Sequence, residues 1–335
     1  MEFLTNLKVP LLHHKALSEL QFINILNSKK FTKEILVPIG DDASILKFGN
    51  KNMVVTMDSL NVNTHFSYLE RPEVIGYKSL AVNISDLAAM GALPKYVLLS
   101  LTIDERDNLN WIKKFHTGFK KLLKKYNIQL IGGDMNKGPV SISITLFGET
   151  NNRFLKRENA KVNEDIWVSG FIGESFLGFM KKNNPNFKIG NNCLNNFIKK
   201  HDYPIPRVEL GLKIKQFSST CIDISDGLLL DLKRILKKSA VGADIFFDKI
   251  PIPKKIKRHS EKNSELFFDL ITGGEDYELL FTSNRKNRNR IMKLGQKLKI
   301  KLTQIGEIKK HKNLKIFDKN FKNINLPHKL GHDHF

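Results

Sequence analysis

Carboxylates that sit beside glycine or close an apolar run constrain this chain more than any other feature. Ile39-Gly40-Asp41-Asp42-Ala43, Val54-Val55-Thr56-Met57-Asp58, Ile131-Gly132-Gly133-Asp134, Ile222-Asp223-Ile224-Ser225-Asp226-Gly227 and Thr272-Gly273-Gly274-Glu275-Asp276 all have this form. A further acid, Asp86, interrupts Leu80–Met90, which otherwise reads as a mostly buried helix. Apolar runs of this length are strands, and a strand that stops at Gly-Asp delivers its acid to a sheet edge. Edge carboxylates gathered together repel one another unless a cation neutralises them. Oxygen ligands favour hard divalent ions, Mg²⁺ above all. The pattern predicts a multi-metal pocket for a polyphosphate.

A chain of 335 residues, 41% of them hydrophobic, is long for one core and suggests two domains of similar size. The polar stretch Glu149–Asn152 is the first natural boundary, giving residues 1–150 and 151–335. The longest apolar stretch, Leu80–Leu101, is broken by Asp86 and Lys95, so no membrane span is expected. The first residues carry no basic region followed by an apolar core, so no signal peptide is expected. Cys193 and Cys221 stand in no metal-binding spacing, which fits a reducing cytoplasm. The net charge of +21 raises the question of nucleic acid. Yet in Trp111–Tyr126 the aromatic and aliphatic residues recur at helical spacing and lysines fill the other face. Lys254–Lys262 and Lys286–Lys301 lack interleaved aromatics. A solvated surface that steers anionic substrates is the reading, with no nucleic-acid partner.

Elements follow from period and punctuation. A helix is expected over Ala16–Asn27, then strands near Ser44–Phe48 and Lys51–Met57 joined by a Gly49-Asn50 turn. Pro72 opens a helix to Met90, which Gly91 and Pro94 end. Strand Tyr96–Thr102, helix Asn110–Tyr126 and strands Ile128–Ile131 and Val140–Phe147 complete a first α/β unit. Strand Ile166–Ser169, a Gly170–Gly173 turn and helix Glu174–Lys181 begin a second, and Lys182–Asn192 reads as a surface loop. Strand Thr220–Ile224, helix Leu228–Lys238 and strands near Ala243–Phe247, Tyr277–Thr282 and Leu302–Ile308 follow.

The familiar phosphate and hydrolase motifs are missing. Gly133-Asp134-Met135-Asn136-Lys137-Gly138 places lysine before glycine, unlike a P-loop. No His-Arg-Asp, Asp-Phe-Gly, His-Glu-x-x-His or Gly-x-Ser-x-Gly segment occurs. Carboxylate-held Mg²⁺ with glycine-rich edges remains, the metals neutralising phosphate charge and the loops positioning it.

These segments, taken in order with Lys78–Ala92 and Gly273–Leu279, closely resemble the thiamine-monophosphate kinase family. That family lies within the superfamily of aminoimidazole ribonucleotide synthetase and selenophosphate synthetase. The resemblance runs nearly end to end. It implies a two-domain α/β fold whose N-terminal sheets pair across a homodimer. It also implies direct transfer of the ATP γ-phosphoryl to thiamine monophosphate, without a phosphoenzyme. Carried over by position, Asp42, Asp58, Asp86, Asp134, Asp223 and Asp226 resemble the family's Mg²⁺ ligands, and Thr56 and Met57 fall where further oxygens are supplied. Gly133, Asp134, Arg157 and Ser225 match ATP-binding positions, and His65 and Glu275 match positions near the monophosphate. Met57 replaces a common threonine, Met135-Asn136 replaces two threonines, and the tail Gly331–Phe335 lacks the tryptophan or tyrosine that often stacks on substrate there.

Each residue also has a plainer reading. Asp41-Asp42 could be a solvated turn pair, and Asp226 could cap the helix after Gly227. His65 alone would more often be an ordinary histidine. Asp86 is different, because a carboxylate in a helix of Leu, Ala, Val and Met is costly unless paired or metal-bound. Asn83, one turn earlier, shares its face. The rival functions are a sister ATP-dependent synthetase and a non-catalytic Mg-nucleotide-binding protein.

Overall fold

The computed structural model describes residues 31–105, 107–189 and 194–332. Residues 32–332 form one compact unit built on two sheets. The first part runs β1 (Ile35–Val37), β2 (Ser44–Phe48), β3 (Lys51–Asn61), α1 (Pro72–Ala89), β4 (Leu93–Ile103), α2 (Leu109–Tyr126), β5 (Gln129–Lys137) and β6 (Ser141–Thr150). The second runs β7 (Glu164–Ser169), α3 (Glu174–Asn183), α4 (Asn195–Asp202), α5 (Val208–Ile214), β8 (Thr220–Asp223), α6 (Leu228–Ser239) and β9 (Gly242–Phe246). It continues with α7 (Lys254–Ser260), α8 (Ser264–Thr272), β10 (Leu279–Asn284), α9 (Arg288–Leu298), β11 (Leu302–Lys309), β12 (Leu314–Phe317) and β13 (Asn323–Ile324).

The first sheet has the order β1-β2-β3-β6-β4-β5. Only its β4–β5 pair is parallel. Strand β6 alternates strictly, with Ile142, Ile144 and Leu146 fully buried and Ser141, Ser143, Thr145 and Phe147 between them on the outer face. Such alternation is what a half-covered strand requires. The covered face packs on α1, which starts at Pro72 and is buried along nearly its whole length. Helix α2 packs on α1 through Phe115, Phe119 and Leu122, and its lysines lie in solvent as the spacing predicts.

The second sheet has the order β13-β12-β9-β11-β7-β10-β8. Alternate residues of its central strands face different cores. Trp167, Cys221, Leu279 and Phe281 join the core that contains α1, whereas Ile166, Val168, Ile222 and Leu280 join a second core with α6 and α8. Helix α1 therefore lies between the two sheets, in contact with β3 and β6 on one side and β8 on the other.

Several expectations need correction. Asp58 lies inside the long β3, not at its end, because Ser59, Leu60 and Asn61 go on pairing with β6. Gly132-Gly133-Asp134 likewise lies within β5, which runs on to Lys137. Gly273-Gly274-Glu275 follows a helix, α8, where its apolar run suggests a strand. The basic segments Lys254–Lys262 and Lys286–Lys301 form α7 and α9, which bury Ile256 and Ile291 completely and leave Met292 exposed. Helices α4, α5 and α8 and strands β1, β12 and β13 are short and weakly periodic, so hydrophobic period does not mark them. The helix expected over Ala16–Asn27 and the tail beyond His332 lie outside the described residues.

Candidate functional site

The carboxylates converge where β3, α1 and β8 meet. Asp42 comes from the β1–β2 connection, Asp86 from the last turn of α1 and Asp223 from the end of β8. One oxygen from each of these three lies within 4.8 Å of the others. The hydroxyl of Thr56 donates to Asp86 Oδ2 at 2.7 Å, and that of Ser85 donates to Asp223 Oδ2 at 2.6 Å. Strand β2 pairs with β3 only as far as Val55, which leaves the next amides on that side open. Asn83 of α1 fills the gap, its Oδ1 accepting the Asp58 N–H at 3.1 Å. The helix thereby fixes the backbone of Asp58 as well as supplying Asp86.

This concentration of acid is electrostatically costly. Burial pushes Asp86 and Asp223 well above the ordinary carboxylate range, and neighbouring carboxylates push them further: Asp58, Asp223 and Asp42 act on Asp86, and Asp42 and Asp231 on Asp223. Burial, then Asp226 and Asp42, raises Asp58 to about 6. Burial, then Asp42, raises Asp41 to about 7. Asp42 has a strong cationic partner. Arg157 donates to its Oδ1 through Nη2 at 2.7 Å and Nε at 3.2 Å, and the Arg157 N–H is held by Asp41 at 2.9 Å. Burial opposes the Arg157 charge, yet Asp42, Asp41 and Asp223 together push the guanidinium far above its usual value. The second oxygen of Asp42 is buried with no hydrogen-bond partner. An orphan oxygen on Asp42, two more carboxylates close to that residue, and the hydroxyls bonded to them form a donor set that suits a hard divalent cation.

A second structure supports Ser225 and Asp226. Asp231, buried in the first turn of α6, accepts the N–H groups of Ser225, Asp226 and Gly227 on a single oxygen at 3.1, 3.1 and 3.2 Å. Arg234 binds the other oxygen at 2.5 Å and reaches Asp226 Oδ2 at 2.6 Å. Burial raises Asp231 to about 7 despite this partner. The Glu275 N–H donates to the Ser225 carbonyl at 2.6 Å, joining the Gly273–Asp276 loop to the same turn. The Glu275 carboxylate is itself bound by Lys78 at 2.7 Å and His201 at 3.1 Å. Burial works against its charge, but Lys78 and then His201 hold it well below the usual range. Asp231, Arg234, Lys78 and His201 escape sequence reasoning. Asp231 carried a signal, being an acid inside an apolar run like Asp86; the other three carried none.

Two expected residues stand elsewhere within one chain. Asp134 is in register with Ser100, Ser143 and Ser59, so it lies three strands from β3. That is about 14 Å at ordinary strand spacing. Cross-strand partners share a face, so Asp134 is on the outer face with Ser59, opposite to Asp58. Gly133 lies beside it on the exposed edge strand. The Met57 side chain points to the outer face, 62% exposed, so only its backbone carbonyl is left as a possible ligand. His65 lies in the turn after β3, its Nδ1 accepting the Asn61 N–H at 3.0 Å.

Comparisons with known proteins agree with this architecture. Residues 40–150 match the family described as AIR synthase related protein, N-terminal domain, and residues 214–319 match the corresponding C-terminal domain. The thiamine-monophosphate kinase of Buchnera aphidicola subsp. Acyrthosiphon pisum is 42% identical over 92% of this chain and 95% of its own length. The crystal structure of thiamine-monophosphate kinase from Stenotrophomonas maltophilia K279a is 36% identical with a TM-score of 0.74, covering 85% of this chain and 91% of that one. The structure of AaThiL complexed with AMPPCP and TMP superposes with a TM-score of 0.81 at 28% identity, covering 95% and 97%.

Proposed function

The chain belongs to the thiamine-monophosphate kinase family, and on that premise we propose that it transfers the γ-phosphoryl group of ATP to thiamine monophosphate. A phosphate oxygen of the monophosphate attacks the γ-phosphorus while the bond to the β,γ-bridging oxygen breaks. The products are thiamine diphosphate and ADP. The acceptor oxygen is already anionic, so the step needs alignment and charge neutralisation in place of a general base. Convergence of Asp42, Asp86 and Asp223 is the observation that carries this reading.

Mg²⁺ would be held by Asp42, Asp58, Asp86, Asp223 and Asp226 with the Thr56 hydroxyl and the Met57 carbonyl, and would supply charge neutralisation for the phosphates. We assign Arg157 and Ser225 to the nucleotide and His65 and Glu275 to the monophosphate. The division of the chain near residue 150 follows the same reading, the first part carrying most of the acids and the second completing the site. No helix among the described residues is long and apolar enough to cross a membrane, and we place the protein in the cytoplasm.

Gly133 and Asp134 act on the nucleotide, and Asp134 on a metal, only if a second copy brings them there. A homodimer formed through the outer sheet face does this. Supporting it, that face exposes Met57 of β3 and Tyr96 of β4, and β5 is an edge strand exposed along all its residues. Free edges of this kind are usually covered or blunted.

The direct test incubates the protein with Mg-ATP and thiamine monophosphate and follows thiamine diphosphate by chromatography, with free thiamine as a parallel acceptor. Product from the monophosphate alone, lost with EDTA, is expected. A folded, ATP-binding protein that makes none would refute the proposal and favour a binding-only role.

A further inference from the structure

Glu275 is held in an unusual way. Its backbone sits in the left-handed region at φ +59°, between Gly274 at +71° and Tyr277 at +50°. A non-glycine residue keeps such a conformation only where its surroundings fix it. Here the fixing groups come from separate elements. Lys78 projects from α1 with its side chain 8% exposed, and its Nζ is 2.7 Å from Oε1. His201 of α4 places Nδ1 3.1 Å from Oε2, and its Nε2 faces Lys78 Nζ at 3.4 Å.

The donor inventory settles the imidazole. A lysine ammonium only donates, so Nε2 opposite it is an acceptor and the ring proton sits on Nδ1, toward Glu275. Burial, followed by the Lys78 ammonium, lowers His201, in keeping with a neutral ring. The arrangement contains one cation, one anion and one neutral linker. A buried ion pair of this kind adds little stability over an apolar substitute. What it gives is a carboxylate whose charge and direction are both fixed, with its side chain still about one-third open.

We propose that Lys78 is a positioning residue for the acceptor substrate: with neutral His201 it locks the Glu275 carboxylate in the orientation that receives thiamine monophosphate. This rests on the assignment of Glu275 to the monophosphate made above. Lys78 and Asp86 share one helix, eight residues apart, or about 12 Å along its axis. Helix α1 thus sets the distance between the acceptor's anchor and the acids assigned to the metal.

The experiment compares Lys78→Met, Lys78→Arg and the double variant Lys78→Met/His201→Gln with the wild type, measuring KM for both substrates from pH 6 to pH 8. Lys78→Met should raise KM for thiamine monophosphate about tenfold and leave KM for ATP within about twofold. Lys78→Arg should recover most of the loss. A pH signature separates positioning from mere packing. His201 faces Lys78 of α1, Glu275, and Lys182, Ser175 and the Phe179 ring of α3, while its neighbour Asp202 is paired with Lys182 and Arg71. Once Lys78 is removed, the nearest repulsion on an imidazolium is gone and the attraction of Glu275 remains. Acidification then lets protonated His201 replace the lost cation, so KM of Lys78→Met should fall back toward the wild-type value between pH 8 and pH 6. The double variant should show no recovery. Unchanged KM for the monophosphate, parallel rises for both substrates, or identical pH profiles in single and double variants would overturn the inference. If Lys78→Met does not fold, Lys78→Gln, which donates without charge, carries the same expectations. A wild type that fails to phosphorylate the monophosphate would refute the proposed function itself, and that control is read first.

Discussion

Replacing Asp86 by asparagine should stabilise the metal-free protein while disabling it. The Asp86 carboxylate is within 4.8 Å of oxygens from Asp42 and Asp223. Two ionised groups at that distance repel by about 3 kcal/mol at an effective dielectric constant near 20. The folded chain avoids this by holding a proton on Asp86, which is pushed well above its ordinary value by burial and then by Asp58, Asp223 and Asp42. The unfolded chain has released that proton above the ordinary value of 3.8. More protons are bound folded than unfolded, so this group's contribution becomes less favourable as pH rises, by up to about 1.4 kcal/mol per unit. Asparagine carries no such cost, and its carbonyl oxygen still accepts the Thr56 hydroxyl. The variant's advantage should therefore grow between pH 5.5 and pH 7.5, by at most about 1.4 kcal/mol per unit, which in a chain of this size is at most about 5 °C in melting temperature. Calorimetry in EDTA at the two pH values measures it. Adding Mg²⁺ should raise the wild-type melting temperature and barely move the variant, whose turnover should fall at least about a hundredfold. A variant less stable than wild type at pH 7.5 in EDTA, or an advantage independent of pH, would refute the reasoning.

Arg157→Gln removes both guanidinium bonds to Asp42 and should cost about 2 kcal/mol in urea denaturation, with a raised KM for ATP; an unchanged urea midpoint would show that the pair is dispensable. Gly133→Ala would put its Cβ 1.8 Å from the Leu99 carbonyl at a φ of +156°, so β5 must leave β4. Light scattering should then show a dimer that dissociates more readily, and an intact dimer would argue against β5 at the interface. Asp58→Asn and Asp134→Asn should each fold and lose activity alone. Mixed after reversible dissociation, they should regain about one quarter of wild-type turnover if Asp134 acts across a symmetric dimer, and none if it acts within its own chain.

How much of the site could be read from the sequence depended on whether a residue's cost was local. Asp86 advertised itself because a carboxylate in an apolar helix is expensive wherever the helix packs. Asp231, in Leu228-Leu229-Leu230-Asp231-Leu232, has the same signature, but the lysines that follow make α6 look like an ordinary amphipathic helix. Lys78 and His201 have no such mark, since each is made tolerable by residues far away in sequence. The left-handed backbone of Glu275 is also invisible, because only Gly273-Gly274 hints at a turn there. Strand β5 misleads in the opposite sense. Leu130-Ile131-Gly132-Gly133 looks like a buried strand that stops at Asp134, yet the strand continues and lies open on the sheet edge. Hydrophobic period identifies a strand but not which face or edge is covered.

The two sheets matter to the chemistry through what α1 holds between them. Lys78, Asn83, Ser85 and Asp86 are polar groups in a helix buried on almost every side, and they reach three separate segments: Glu275, Asp223, and β3 at the Asp58 amide and Thr56. A buried polar group without a partner costs several kcal/mol, so these pairings restrict how α1 can slide or rotate against either sheet. Restriction of that kind is what phosphoryl transfer asks of a protein, because most of the catalysis is placement. The charge distribution points the same way. A net charge of +21 attracts ATP from a distance, while the acids at the site repel it on arrival. A cation that reaches the acids before or with the nucleotide would reconcile the two fields, which is the part assigned above to the proposed Mg²⁺.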